Sequence, residues 1–318
     1  MNRSSINVRE EARYLSTTPP WVLLTKQSRK AELYSGEFVA DNIWQSLMNS
    51  GIRGEDFYRY TFLIIKPEGL ARRLTVKIIN YLNRLGMSVV HAMPAPIGRN
   101  AGHHIWRFQW NAATYDRVAL TTFGNSLAPS LLLLLKDTMS STIPASVRMW
   151  AQKGSAHESR RRPDQLRSEI GMHNRMLGFV HTPDEPADII RELGILYDDI
   201  QQETIVDRLI SHERSDSAQA EALRIEKNCL CHSVSPEEVI ERLVLSRPYF
   251  AKLWEKRSIK TWSLHELSQS FGLRQHKCDD WDFLTVAAEL IEHDRPGVKP
   301  ILDAKAVDEV KVLWEGAE

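Results

Sequence analysis

Long apolar runs are missing from this 318-residue chain. The longest, Leu131–Leu135 between Ser130 and Lys136, falls far short of the ~18 residues a membrane span needs, so no membrane partner is expected. The opening residues Met1-Asn2-Arg3-Ser4-Ser5 lead into Arg9, Glu10, Glu11 and Arg13 without an apolar stretch. No secretory signal is read there, and a cytoplasmic protein is expected. Cysteine is scarce: Cys229, Cys231 and Cys278 are an odd number late in the chain, which excludes a disulfide framework. Net charge is also absent, since 41 Lys+Arg balance 41 Asp+Glu. What is present is ordinary globular composition, 42% hydrophobic and 26% charged, which excludes whole-chain disorder.

The zero net charge conceals an asymmetry. Residues 1–59 hold 8 basic against 7 acidic side chains, residues 60–200 hold 17 against 12, and residues 201–318 hold 16 against 22. A mildly basic middle suits an anionic small ligand, whereas an acidic C-terminal third opposes a nucleic-acid backbone.

Patterning divides the chain at the same places. Residues 1–59 form an N-terminal extension with a strand-like run, Trp21-Val22-Leu23-Leu24-Thr25, and a helical face of Val39, Ile43, Leu47 and Met48. This is too small for a core and is expected to pack on the middle region. Residues 60–200 alternate strands with helices. Thr61–Ile65, Met87–Met93, Leu131–Leu135 and Met176–His181 read as strands. A helix from Thr75 to Leu85, with Val76, Ile79 and Leu82 on one face, stops at Gly86. A second runs from Pro144 to Gln152 with Thr142 as cap, and a third follows Asp184 as cap with Pro186 in its first turn. Residues 201–318 read as helices only, started by Ser235-Pro236-Glu237-Glu238 and Ser263-Leu264-His265-Glu266, with Gly272 closing the second. Further helices are expected over Trp281–His293 and Asp303–Trp314, and the polar stretch Ser211–Gln219 reads as a linker.

Within this third, Leu264–Leu273 has the spacing of the first helix of a helix-turn-helix. The following helix would begin Asp279-Asp280-Trp281-Asp282, however, and those acids would face the phosphates. A helical interaction domain, serving a protein partner or self-association, is the expected role, with no nucleic-acid partner. Cys229, Cys231, His232, His276 and Cys278 invite a zinc reading, but Cys-x-Cys and His-x-Cys are not the usual zinc spacings.

Two segments of the middle region carry chemistry. Thr61-Phe62-Leu63-Ile64-Ile65-Lys66-Pro67-Glu68-Gly69 ends a buried strand in a lysine and a forced turn, which suits an ammonium serving a phosphate as a point charge. His181 stands at another strand end, and Glu192 comes eleven residues later in a helix able to fold back. A carboxylate on one ring nitrogen sets the tautomer and leaves the other nitrogen free as a nucleophile.

These residues resemble the nucleoside diphosphate kinase family over about Tyr60–Tyr197. The family's first strand ends in Lys-Pro-Asp/Glu-Gly, here Lys66-Pro67-Glu68-Gly69, and its active histidine is followed at the same distances by Asp and Glu, here Asp184 and Glu192. The resemblance implies a ferredoxin-like βαββαβ core, and with the flanks read from patterning the expected fold is α+β: that core with an N-terminal extension and an all-helical C-terminal domain. It further implies phosphoryl transfer from a nucleoside triphosphate to a diphosphate acceptor through a phosphohistidine, with Mg²⁺ on the phosphates. His181 and Glu192 would be catalytic; Lys66, Arg148, Ser155 and Arg167 would bind nucleotide.

There are departures. Gly178 stands where the family has a ribose-contacting asparagine, Asn174 being the nearest, and Thr182-Pro183 replaces Gly-Ser. Tyr115 and Phe123 are alternatives for stacking a base. The departures motivate a second reading, a nucleotide-sensing pseudoenzyme that signals through the helical domain. Lys66 and His181 both precede Ile200, so the nucleotide contacts are expected to be complete within the core.

Overall fold

The computed structural model describes residues 19–52, 54–139, 141–211, 216–246, 249–258, 260–271, 277–302 and 307–316. Four strands, β1 (Tyr60–Ile65), β2 (Met87–Ala95), β3 (Ser130–Asp137) and β4 (Val180–His181), form one antiparallel sheet in the order β2-β3-β1-β4. Helices follow β1 and β3, as the βαββαβ reading expects, and a further helical pair, Arg99–Ile105 and Tyr115–Ser126, lies between β2 and β3. The fold is α+β with a helical C-terminal region.

The unbroken leucine run has a simple cause: the sheet is buried on both faces. Successive side chains of a strand alternate between faces. Leu131, Leu133 and Leu135 join Leu63 and Ile65 in one core, and Leu132 and Leu134 join Phe62 and Ile64 in the other. The flanking segments help to fill both cores. Ala218, Ala222 and Ile225 of the helix Asp216–Lys227 enter the first, together with Phe283 and Val286 of Lys277–Leu290. Trp21, Ile43 and Leu47 of the N-terminal extension enter the second, with Ile205 and Leu209 of Asp199–Ile210. The extension therefore packs on the core, as expected.

Several local expectations are corrected. Trp21–Leu24 is a helical turn, not a strand: Trp21 and Leu24, three apart, are buried while Val22 and Leu23 face out. On the helix Thr75–Arg84, Val76 is exposed and Ile78 takes its place in the core. The helix Ala145–Lys153 has Pro144, not Thr142, in the cap position, and its first N–H donates to the Tyr58 carbonyl at 2.7 Å. Glu185, not Asp184, caps Pro186–Leu196, and its N–H donates to the Asp188 carboxylate at 2.9 Å. The expected strand from Met176 shortens to Val180–His181. A helix from Asp216 occupies part of the expected linker. The capping box at Ser263 forms, with Glu266 accepting from the Ser263 N–H at 2.9 Å, whereas Gly272 lies outside the described residues.

Buried carboxylates join the extension to the core, and Glu185 gathers the most donors. Glu185 is wholly buried and accepts from Thr25 Oγ1 at 2.6 Å, the Lys26 N–H at 2.8 Å, Gln27 Nε2 at 2.7 Å, Lys30 Nζ at 3.0 Å and Trp314 Nε1 at 3.1 Å. Lys30 also meets Asp188 at 2.8 Å, and the Tyr34 hydroxyl donates to Asp188 at 2.5 Å. Burial opposes the Lys30 ammonium, but Asp188, Glu185 and Asp184 outweigh it and push its pKa up. Close by, the chain at Val39 passes so near Gly194 that a Cβ there would lie 1.8 Å from the Val39 carbonyl oxygen.

Two substitutions test this junction. Glu185→Ala strands four donors and leaves Lys30 with Asp188, so chemical denaturation should show a loss of ~3–5 kcal/mol. A loss under ~1 kcal/mol would contradict this account. Gly194→Ala forces two backbones apart and should cost at least ~1–3 kcal/mol in the same assay.

Candidate active site

His181 ends β4, paired with Ile64 of β1. The chain reaches it through a tight turn in which Phe179 takes a left-handed φ of 55° and the Val180 N–H donates to the Gly178 carbonyl at 2.6 Å. The Lys66-Pro67-Glu68-Gly69 turn braces this approach. The Lys66 N–H donates to the Phe179 carbonyl at 2.9 Å, and the Phe179 N–H donates to Glu68 Oε1 at 3.3 Å. Gly69 is required, because a Cβ would lie 2.8 Å from the Phe179 carbonyl oxygen.

The helix Pro186–Leu196 folds back along the sheet, so that Glu192 Oε2 lies 2.7 Å from His181 Nε2. An ionised carboxylate only accepts hydrogen bonds, so Nε2 carries the proton and Nδ1 presents its lone pair. The Trp106 ring stands edge-on to the imidazole, with 5.6 Å between centroids and 88° between planes. Both side chains of the pair are nearly buried.

His181 and Glu192 line a cavity of about 580 Å³. Four of the five cations on its wall, Lys153, Arg160, Arg162 and Arg167, come from the segment before the histidine strand and stand there with Ser155 and Asp184. Gln27, Lys30 and Tyr34 contribute from the extension, and Leu302, Val307 and Asp308 from the C-terminal segment. The flanks that fill the cores thus also wall the cavity, beside the core residues expected to hold the nucleotide.

Of the residues singled out in the sequence, His181, Glu192, Ser155 and Arg167 meet in this cavity, and Lys66 and Arg148 are not on its wall. The Lys66 ammonium is bound to Glu68 at 2.7 Å. Arg148 pairs with Asp137 and donates to the Leu85 carbonyl at 3.3 Å. Arg167 donates to the carbonyls of Gly154 at 3.0 Å and Val180 at 3.1 Å, tying the loop to the histidine strand. Burial pushes its pKa down to about 10, against the attraction of Asp184. Asn174 is engaged elsewhere, donating to the Ala288 carbonyl at 2.9 Å. Neither Tyr115 nor Phe123 lines the cavity: Tyr115 is 84% exposed, and Phe123 packs edge-on against Phe283 at 5.5 Å.

Sequence reasoning missed Lys153, Trp106 and Lys30. For Lys153 there was a signal, its position at a helix end just before Gly154, which takes a φ of 85°. The cysteine and histidine cluster is dispersed in function. Cys229 is buried, which pushes its thiol up to about 11, and Cys231 is exposed. Both ring nitrogens of His232 are engaged, by Asp282 at 2.9 Å and the Val234 N–H at 3.0 Å. His276 and the Cys278 side chain lie outside the described residues.

Comparison with known proteins gives the arrangement a family. Residues 59–201 match the family model described as nucleoside diphosphate kinase. Among curated proteins there is no match. Similar solved structures include the nucleoside diphosphate kinase of Encephalitozoon cuniculi in an apo cubic form, 14% identical over 46% of this chain and 99% of that one, with a TM-score of 0.37. A halophilic nucleoside diphosphate kinase from Halobacterium salinarum in complex with CDP is 18% identical over 50% of this chain and 95% of that one, at TM-score 0.39. An NDP kinase from Pyrobaculum aerophilum is 16% identical over 44% and 96%, at 0.35. By its family model and by the turn, histidine and glutamate that this model spans, the core domain at residues 59–201 belongs to the nucleoside diphosphate kinase family.

Proposed function

We propose that this chain transfers the terminal phosphate of a nucleoside triphosphate to a diphosphate acceptor through a phosphohistidine at His181. The observation that carries the reading is the 2.7 Å pair of His181 and Glu192 inside a cavity lined by five cationic side chains. The Nδ1 lone pair attacks the γ-phosphorus, the bond to the bridging oxygen breaks, and the nucleoside diphosphate leaves with that electron pair. Glu192 keeps the proton on Nε2 and stabilises the positive charge that grows on the ring. Trp106, set against the imidazole, limits its rotation. Ser155 and Arg167 face the phosphates, and Arg167 also holds the loop to the histidine strand. Lys66 and Arg148 are assigned to bracing the walls through Glu68 and Asp137.

Mg²⁺ enters this reading on the phosphates of the substrate. Such an ion needs only one or two protein carboxylates besides phosphate oxygens and water, and Asp184 and Asp308 supply hard oxygen donors on the cavity wall. When bound it neutralises phosphate charge. Among the described residues no group of three His, Cys, Asp or Glu is placed to hold a metal by itself.

Incubation with a γ-labelled nucleoside triphosphate and Mg²⁺ should leave an acid-labile, base-stable label on the protein. His181→Ala should abolish the label and retain nucleotide binding, since the ring makes the bond more than it holds the substrate. Glu192→Gln should slow labelling roughly 10- to 100-fold, the loss of ~1.5–3 kcal/mol expected of a hydrogen bond to a charged group. An acid-stable label that survives His181→Ala would place the phosphate on another residue and end this mechanism. Nucleotide affinity with no label on the unmodified chain would leave a binding protein without transfer.

A further inference from the structure

Two lysines are buried along this cavity, and they are held very differently. Lys30 has its carboxylates at 2.8 and 3.0 Å. Lys153, with 8% of its side chain exposed, has among the described residues the Thr182 carbonyl at 3.3 Å and Asp184 Oδ1 at 3.5 Å. Both contacts are at the long limit of hydrogen bonding. A buried ammonium without a close counter-ion is costly, and an anion brought within reach relieves that cost. The placement is specific as well. Lys153 closes the helix Ala145–Lys153, and the carbonyl it touches belongs to the residue directly after His181.

We infer that Lys153 is the ammonium that contacts the phosphoryl group at His181, with Asp184 as its loose counter-ion until the substrate phosphate displaces it. The assignment rests on the phosphoryl-transfer reading above and adds a residue to it. Asp184 acts on both Lys153 and Arg167, so neither cation has this carboxylate to itself. Burial pushes the Lys153 pKa down, Asp184 opposes that, and Arg167 adds to it. Arg167 cannot take the same part with the same freedom, because two of its nitrogens already donate to backbone carbonyls. Nor does Lys66, whose ammonium is closed onto Glu68 at 2.7 Å.

The test uses the full chain and the variants Lys153→Met, Lys153→Gln and Lys153→Arg, each checked for an unchanged melting temperature. Calorimetry with MgATP and with adenosine separates the phosphate end from the nucleoside, and labelling at His181 follows transfer. Lys153→Met should weaken MgATP binding by about tenfold or more while adenosine binding stays within about twofold, and Lys153→Arg should restore part of the loss. Should Lys153→Met fail to fold, Lys153→Gln carries the same expectation. MgATP affinity and labelling rate unchanged in a folded Lys153→Met or Lys153→Gln would overturn the assignment and leave transfer through His181 standing. Lys153-dependent MgATP binding with no label on the parent chain would sink transfer but keep Lys153 as the phosphate contact. Equal losses for MgATP and adenosine would reduce Lys153 to a structural part, and the assignment would fall.

Discussion

The carboxylate of Glu185 is the point at which three stretches of chain far apart in sequence become one structure. It sits at the start of the helix that carries Glu192, and its donors come from Thr25, Lys26, Gln27 and Lys30 on one side and Trp314 on the other. A buried charge is tolerated only when it is paired and its lone pairs are satisfied. The extension and the C-terminal helix meet that condition together with Lys30. The same contacts anchor the start of the Pro186–Leu196 helix, which carries Glu192 to 2.7 Å from His181.

The presentation of His181 depends on a similar economy of backbone. Phe179 takes a left-handed conformation that disfavours a bulky side chain, and the surroundings over-determine it: its carbonyl accepts from Lys66 and its N–H donates to Glu68. Its ring is buried under Arg72, whose guanidinium carbon is 5.0 Å from the ring centroid. A two-residue strand would otherwise hold a histidine loosely. Here the turn after β1 clamps the chain just before β4, and the helix after it supplies the carboxylate.

The helical region has been drawn into the same architecture. The helix Lys277–Leu290, whose acidic start opposed a DNA-reading role, is also closed to that role by burial: Trp281, Asp282, Phe283, Leu284, Val286 and Ala287 are all inside the core. A recognition helix must offer a face to the groove. Asp282 instead receives Arg242 and lies 2.9 Å from His232 Nε2, and the His232 N–H donates to the Ala71 carbonyl at 3.0 Å next to the Lys66 turn. The acidic residues that set the charge of this third serve partly as internal anchors.

Local signals determined much of this protein. The strands at Thr61–Ile65 and Leu131–Leu135, the Gly86 stop, the Ser263 box and the eleven-residue spacing of His181 and Glu192 are legible because their causes lie within a few residues: side-chain period, capping and left-handed glycine. Trp21–Leu24 misled, because four apolar residues have no period of their own and only the burial of Trp21 and Leu24 made them a helical turn. What surrounds the histidine could not be read along the chain. Arg148 turned to Asp137 and Lys66 to Glu68, since a charge pairs with whatever counter-charge folding brings nearest. Lys153, Lys30 and Asp308 reached the cavity for the complementary reason. A cavity wall is set by the packing of segments distant in sequence, and that packing is decided by the burial of both faces of the sheet and by the charges that must be matched inside it.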